Sequence, residues 1–370
     1  MTIRRLGAAA AVVRGTLVAG DVAVDGDVVS AVGVQPAGPA GRIAVPGFVD
    51  LQVNGFAGVD FTTAGEDGWA DALLALARSG VTAAAPTMPT APPDRYRDAL
   101  ATAAAVHSRR PVGARMLGVH LEGPFLSPVR HGAHREEWLH APDPALADSW
   151  LDTAPVAIMT LAPELPGALD LIAGLRRRGT VVSLGHTDAT ADAAHAGFDA
   201  GATMVTHLWN AQRQPTSREP AVGGVAMARP DVHVGVICDL VHVAADTVRF
   251  THAATRRRFV AVTDAVSLAG MPDGEYRMYG RRVTKSGSQI RLDDGTLAGS
   301  SGRMDETLRN LVGLGVPLVD AVATMTSSPA AVLGRSADLG RLAPGAPADV
   351  VVLDDALQVV DVLVAGRSVC

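Results

Sequence analysis

The chain has 370 residues, of which 48% are hydrophobic and 19% charged, and a formal net charge of -6. This length exceeds a typical single domain and the apolar share supports a sizeable core, so a disordered chain is excluded. Acidic and basic residues are interspersed without a basic stripe and no apolar run reaches transmembrane length, which argues against nucleic-acid and membrane partners.

The first ~45 residues read as short strands broken by Gly-Asp and Asp-Gly turns, with no helical period. The opening MTIRRLGAAAAVV faintly imitates a signal peptide. It runs straight into the strand-turn-strand pattern TLVAGDVAVDGDVVSAVG, so a structural strand and a cytoplasmic protein are expected. The last ~30 residues, ADVVVLD and then LQVVDVLVAGRSV, share the same β character. The two ends are therefore expected to form one small β-sandwich domain, residues 1–47 plus 340–370, flanking a middle domain of 48–339.

That middle alternates strands and helices. Strand candidates are FVDLQV (48–53), VTAAAPT (81–87), MLGVHL (116–121), VAIMTLA (156–162), VVSLG (181–185), ATMVT (202–206), VHVGVI (232–237) and FVAVT (259–263). Amphipathic helical stretches lie between most of them, among them 67–80, 94–108, 166–179 and 189–201. The stretches 303–315 and 317–334 follow with a helical period. RRR at 176–178 and at 256–258 falls near helix ends, where cations favour the dipole. Residues 275–299 are too polar and turn-rich for a barrel helix and read as an inserted hairpin. Eight buried strands with intervening helices point to an α/β fold, a (β/α)8 TIM-like barrel, whose sites gather at the strand C-termini. A doubly wound open sheet is the alternative, but no strand is followed by GxGxxG. Cys238 lies in an apolar strand and reads as buried, and with Cys370 the only other cysteine a disulfide framework is excluded.

Four polar residues sit just past strand-like runs: Glu122 in HLEGPF, His186 in SLGHTDAT, His207 in THLWNAQ and Asp264 in AVTDAV. Two neutral imidazoles and a carboxylate suit a borderline-soft divalent ion, and a further carboxylate beside it can move a proton from a metal-bound water. Each also has a bland reading: an ion-paired rim glutamate, a capping or core histidine, a helix N-cap. Thr187, Asp188 and Thr190 are candidate caps of the following helix. His242 in CDLVHV could donate to a substrate carbonyl or lie on the surface, and Asp239 could serve the site or a turn. His120 shares a strand face with Glu122 and could fill the barrel interior. His131 and His134 in RHGAHR are loop residues that could reach a sugar. Trp209 and Asn210 could wall and hydrogen-bond a polar ligand. Arg218 in SREP could hold an anionic group.

The stretches PGFVDLQVNG, HLEGPFLSP, RHGAH, TLAPE, GHTDAT, THLWNA, REP, VTDA, GTLAGSS and LGRLAPGAPADVVVLD run in order across almost the whole chain. In them the sequence resembles the N-acetylglucosamine-6-phosphate deacetylases of the amidohydrolase superfamily. The resemblance implies one divalent metal, zinc with iron(II) or manganese(II) as alternatives, held by Glu122, His186 and His207. It implies Asp264 as catalytic acid/base, His242 polarising the acetyl carbonyl, and His134 with the Asn210–Ala211 backbone contacting the sugar. It assigns Arg218 to the phosphate of a neighbouring subunit's substrate, and hence a homodimer acting on a small amino-sugar phosphate. Many amidohydrolases place His-x-His at the end of strand one; here Gln52-Val53-Asn54 stands there. Amides are poor zinc ligands beside imidazole, so one ion rather than two is expected, a form known within the same family. Leu240, Gln212 and Arg303 depart from the family pattern at positions that bear on the sugar. The expected reaction is hydrolysis of the N-acetyl group to acetate and free amine. The rivals are an amidohydrolase acting on another N-acyl amino sugar or N-acyl amino acid, and a metal-containing binding protein.

Overall fold

The computed structural model describes residues 3–278, 281–293, 295 and 297–370. Eight parallel strands form the central sheet: β1 Phe48–Val53, β2 Val81–Pro89, β3 Val119–Glu122, β4 Val156–Leu161, β5 Val181–Leu184, β6 Met204–Val205, β7 His233–Ile237 and β8 Phe259–Val262. Each pairs with the next from β1 through β8. Their Val, Ile and Ala residues are buried on both faces, as in a sheet wrapped in helices. The helices follow the apolar spacing: Glu66–Arg78 buries Trp69, Ala72, Leu73, Leu76 and Ala77, one stripe along its length.

The barrel closes between β8 and β1. The Asp264 N–H donates to Gln52 O at 2.9 Å and the Asn54 N–H to Ala265 O at 2.7 Å. Beneath them the buried Asp50 carboxylate accepts from the Thr263 hydroxyl at 2.6 Å and from the Gln52 N–H at 3.2 Å. This closure brings Gln52 and Asn54 beside Asp264. The interior also carries a directed chain of hydrogen bonds. Leu51 O can only accept, so the His120 Nδ1–H donates to it at 2.9 Å. Neutral His120 then accepts at Nε2 from Thr160 at 2.7 Å, Thr160 from Thr206 at 2.6 Å, and Thr206 from Ser183 at 2.6 Å. Burial holds His120 below the usual histidine range, as that neutral form requires. The interior reading of His120 agrees with this placement.

Both chain ends contribute to one six-stranded sheet. Its order runs Arg367–Ser368, Val359–Val364, Val350–Leu353, Ile43–Pro46, Ala10–Val13, Thr16–Ala19. A three-stranded sheet of Arg4–Arg5, Asp21–Asp25 and Val28–Val34 packs on it around Val22, Val24, Val29, Ala44, Val350 and Val352. Two expectations need correcting. Residues 275–299 hold more than a hairpin: Gly274–Met278, Arg281–Ser286, Gln289–Leu292 and Leu297–Ser300 form a four-stranded antiparallel sheet with its own core of Val283, Ile290 and Ala298. The 317–334 stretch is two helices, Leu318–Thr324 and Ser327–Val332, because Pro329 fits only the first turn of a new helix.

Burial raises the Asp50 carboxyl to about 7, against its hydrogen bonds from Thr263 and Gln52. Between about 4 and about 7 the native state keeps a proton that the unfolded chain has released, so Asp50 weakens stability as pH rises through that window and contributes no slope outside it. Asp50→Asn should therefore gain stability relative to wild type with rising pH, at up to about 1.4 kcal/mol per pH unit. Urea unfolding of both proteins from pH 4 to 8 measures this, and a pH-independent difference would contradict it.

Candidate active site

Glu122 ends β3, while His186, His207 and Asp264 each lie two residues past the ends of β5, β6 and β8. The same backbone turn delivers all three: their φ angles are 48°, 29° and 49°, in the left-handed region. Such residues cost of order 1–3 kcal/mol each and persist only where the surroundings impose them. Gly185 helps to impose the first, since a Cβ there would lie 2.7 Å from Thr206 Cβ.

Glu122, His186 and His207 present ligand atoms that all lie within 4.8 Å of one another, and all three residues are buried. The His186 Nδ1–H donates to Arg130 O at 3.1 Å, so neutral His186 offers a bare Nε2 lone pair. That lone pair faces His207 Nε2 at 3.0 Å and Glu122 Oε1 at 3.4 Å. His207 Nε2 stands 3.1 Å from the same carboxylate oxygen, and His207 Nδ1 is buried with no hydrogen-bond partner to fix the tautomer. Three ligand-type atoms thus converge, and in the chain alone a proton on His207 Nε2 can bridge them. Burial opposes that charge, but the hydrogen bond and charge of Glu122 push His207 above its usual range. Burial also opposes ionisation of Glu122, yet the two histidines hold it well below the carboxylate range. A tetrahedral cation accepting two imidazoles and a carboxylate fits this donor set.

Asp264 stands beside it. Its Oδ1 accepts from Asn54 Nδ2 at 2.8 Å and Gln52 Nε2 at 3.1 Å, and Gln52 Nε2 also lies 2.8 Å from Glu122 Oε1. The two amides therefore orient both carboxylates, leaving Asp264 Oδ2 for the cavity. Burial and the Glu122 charge raise Asp264 to about 6. His242 donates Nδ1–H to Asp239 Oδ2 at 2.7 Å, and Asp239 in turn accepts the N–H groups of Val241 and His242, both at 2.9 Å. Burial works against the Asp239 charge, but His242 holds its carboxyl below the usual range. His134 Nδ1 accepts the Thr90 N–H at 3.2 Å, so its proton sits on Nε2, aimed inward 3.8 Å from Glu122 Oε2. Burial, then the charge of His186, lowers His134 to about 3.

A cavity of about 240 Å³ joins these groups: Glu122, His134, His186, His207, Asn210, Ala211, His242 and Asp264 all line it. Arg218 does not; it is exposed in the loop after β6. Trp209 turns away, donating its indole N–H to Thr251 at 3.0 Å. His131 binds the backbone of its own loop, at His134 O, 2.7 Å away. Thr190 caps the helix after β5. Arg303 pairs with Asp305 at 2.9 Å outside the cavity, and the Gln212 amide is buried with both ends unpartnered. Leu240 stands in a left-handed conformation, φ 62°. Sequence reasoning missed Asp50, whose signal was a lone charge inside the apolar run FVDLQV. It also missed Thr90, Arg135, Trp138 and the Leu297–Gly299 strand as cavity walls.

The model of the amidohydrolase family matches residues 43–369. The chain belongs to the amidohydrolase family. Among similar members, the N-acetylglucosamine-6-phosphate deacetylase of Rattus norvegicus is 39% identical over 343 residues, 89% of this chain and 84% of that protein. The N-acetylgalactosamine-6-phosphate deacetylase of Escherichia coli O157:H7 is 35% identical over 329 residues, 88% of this chain and 87% of that one. A mutant of N-acetyl-D-glucosamine-6-phosphate deacetylase from Mycobacterium smegmatis, solved in complex with N-acetyl-D-glucosamine-6-phosphate, superposes with a TM-score of 0.92 at 34% identity, covering 100% of this chain and 99% of that one.

A cation held by these three groups only in the native state adds its binding energy to stability, so stripping metal should destabilise the fold. An ion at about a thousand times its dissociation constant adds about 4 kcal/mol. Treatment with dipicolinate should lower the thermal midpoint by several degrees and added Zn²⁺ should restore it; an unchanged midpoint in protein proven metal-free would contradict the assignment.

Proposed function

We propose that this amidohydrolase removes the N-acetyl group of N-acetylglucosamine-6-phosphate, giving glucosamine-6-phosphate and acetate. The observation that carries the proposal is the placement of Asp264, held by two amides beside three converging acceptors inside a sugar-sized cavity. Glu122, His186 and His207 would hold one divalent ion, which we take to be zinc. When bound, that ion would supply Lewis acidity toward a water and the acetyl carbonyl.

The chain's own residues supply the rest. Asp264 accepts the proton of the attacking water and returns it to the departing amine nitrogen. His242 donates from Nε2 to the acetyl oxygen; because its Nδ1–H is committed to Asp239, it does so as the imidazolium, whose charge Asp239 offsets. His134 Nε2–H and the Asn210–Ala211 backbone contact the sugar. We further propose a cytoplasmic homodimer in which Arg218 reaches the substrate of the other subunit, and a two-domain chain of 1–47 plus 340–370 and 48–339. The exposure of Arg218 outside its own cavity supports that arrangement. Among the described residues no helix is long and apolar enough to cross a membrane.

Acetate release from N-acetylglucosamine-6-phosphate, N-acetylgalactosamine-6-phosphate, the unphosphorylated sugars and N-acetyl amino acids tests the substrate. The highest kcat/KM is expected for N-acetylglucosamine-6-phosphate, and a faster N-acyl amino acid would overturn the proposal. Asp264→Asn should keep its metal and lose about 10²- to 10⁴-fold in kcat, the scale of a general acid/base. Metal content and turnover of the purified variant check this, and near-wild-type turnover would remove Asp264 from the mechanism.

A further inference from the structure

The substrate proposed above carries a phosphate of nearly two negative charges, while the cavity already holds the carboxylates of Glu122 and Asp264. A phosphate entering such a cavity needs a fixed cation. His134 accepts the Thr90 N–H at Nδ1 and so carries a single ring proton, on Nε2. The His242 Nδ1–H is committed to Asp239. Arg218 lies outside. Among the described residues that line the cavity, Arg135 is the one lysine or arginine.

Its setting suits an anion. Arg135 follows His134 directly, on the loop whose Gly132, Ala133 and His134 form one wall of the cavity. Its guanidinium carbon lies 4.9 Å from the centroid of the Trp138 ring, which also lines the cavity. Stacking on that ring keeps the planar fork oriented without consuming its N–H edge. One of its contacts is an ion pair, Nη1 to Glu137 Oε1 at 3.3 Å, between a side chain 39% exposed and one 61% exposed. Pairs of that kind contribute little and yield readily to a competing anion. A phosphate offers instead two oxygens in the geometry the guanidinium fork matches.

We infer that Arg135, steadied by Trp138, binds the substrate phosphate from within the same subunit and thereby sets the preference for phosphorylated sugars. Arg135 would act with Arg218 of a second copy, not in its place. The inference rests on the proposed deacetylase reading, and binding separates the two. Affinity for glucosamine-6-phosphate, measured by calorimetry on metal-loaded protein, should fall by about tenfold or more in Arg135→Gln, the scale of one charge-assisted hydrogen bond. Arg135→Lys should recover part of it. In turnover, the kcat/KM ratio of N-acetylglucosamine-6-phosphate over N-acetylglucosamine should fall by a similar factor, through KM. Equal affinity and an unchanged ratio in a folded Arg135→Gln would overturn the assignment, as would wild-type protein that binds no sugar phosphate. Wild type that binds glucosamine-6-phosphate through Arg135 but releases no acetate would sustain it and overturn the deacetylase reading alone.

Discussion

The site depends on one electrostatic constraint: a carboxylate and two imidazole nitrogens converge within 4.8 Å of one another in a buried space, where a proton or a cation must be shared between them. Arg130 O fixes the tautomer of His186, so its lone pair cannot be turned aside. Both His186 and His207 stand on left-handed backbone at the strand ends. The fold accepts this local cost because the barrel beneath is rigid, and its interior hydrogen-bond chain from Ser183 to Leu51 O leaves little freedom at the strand ends. Every other functional group is placed relative to that point.

Gln52 and Asn54 tie the mouth of the barrel together. Imidazoles at these positions would be ligands, but the amides act as donors, to Asp264 Oδ1 from both and to Glu122 Oε1 from Gln52. Burial, then the charge of Glu122, raises Asp264 to about 6, and the amide donors moderate the repulsion between the two carboxylates. The closure of β1 on β8 through Asp50 and Thr263 gives the amides their register. Barrel closure and orientation of Asp264 are thus one structural feature.

The barrel was legible from its eight apolar runs because strands buried on both faces leave a continuous signature, and the four residues past strand ends stood out as polar groups where apolar ones are the rule. The terminal β character likewise matched the sheet shared by both ends. What could not be read was longer in range. Nothing local to Gln52 announces that its amide meets Glu122, 70 positions away. The four-stranded insert looked like a hairpin because its strands alternate weakly, with much of one face exposed. Arg135 and Trp138 lie in a loop without periodicity, so only three-dimensional placement brings them to the cavity. Arg218 illustrates the converse, a residue singled out by motif whose own cavity does not contain it.

Anomalous diffraction at the zinc edge, on crystals grown with equimolar zinc per chain, tests the central constraint most directly. One ion is predicted, in contact with Glu122, His186 and His207, with no second peak between Gln52 and Asn54. Zinc bound elsewhere with these three side chains empty, or two fully occupied ions in the barrel mouth, would contradict it.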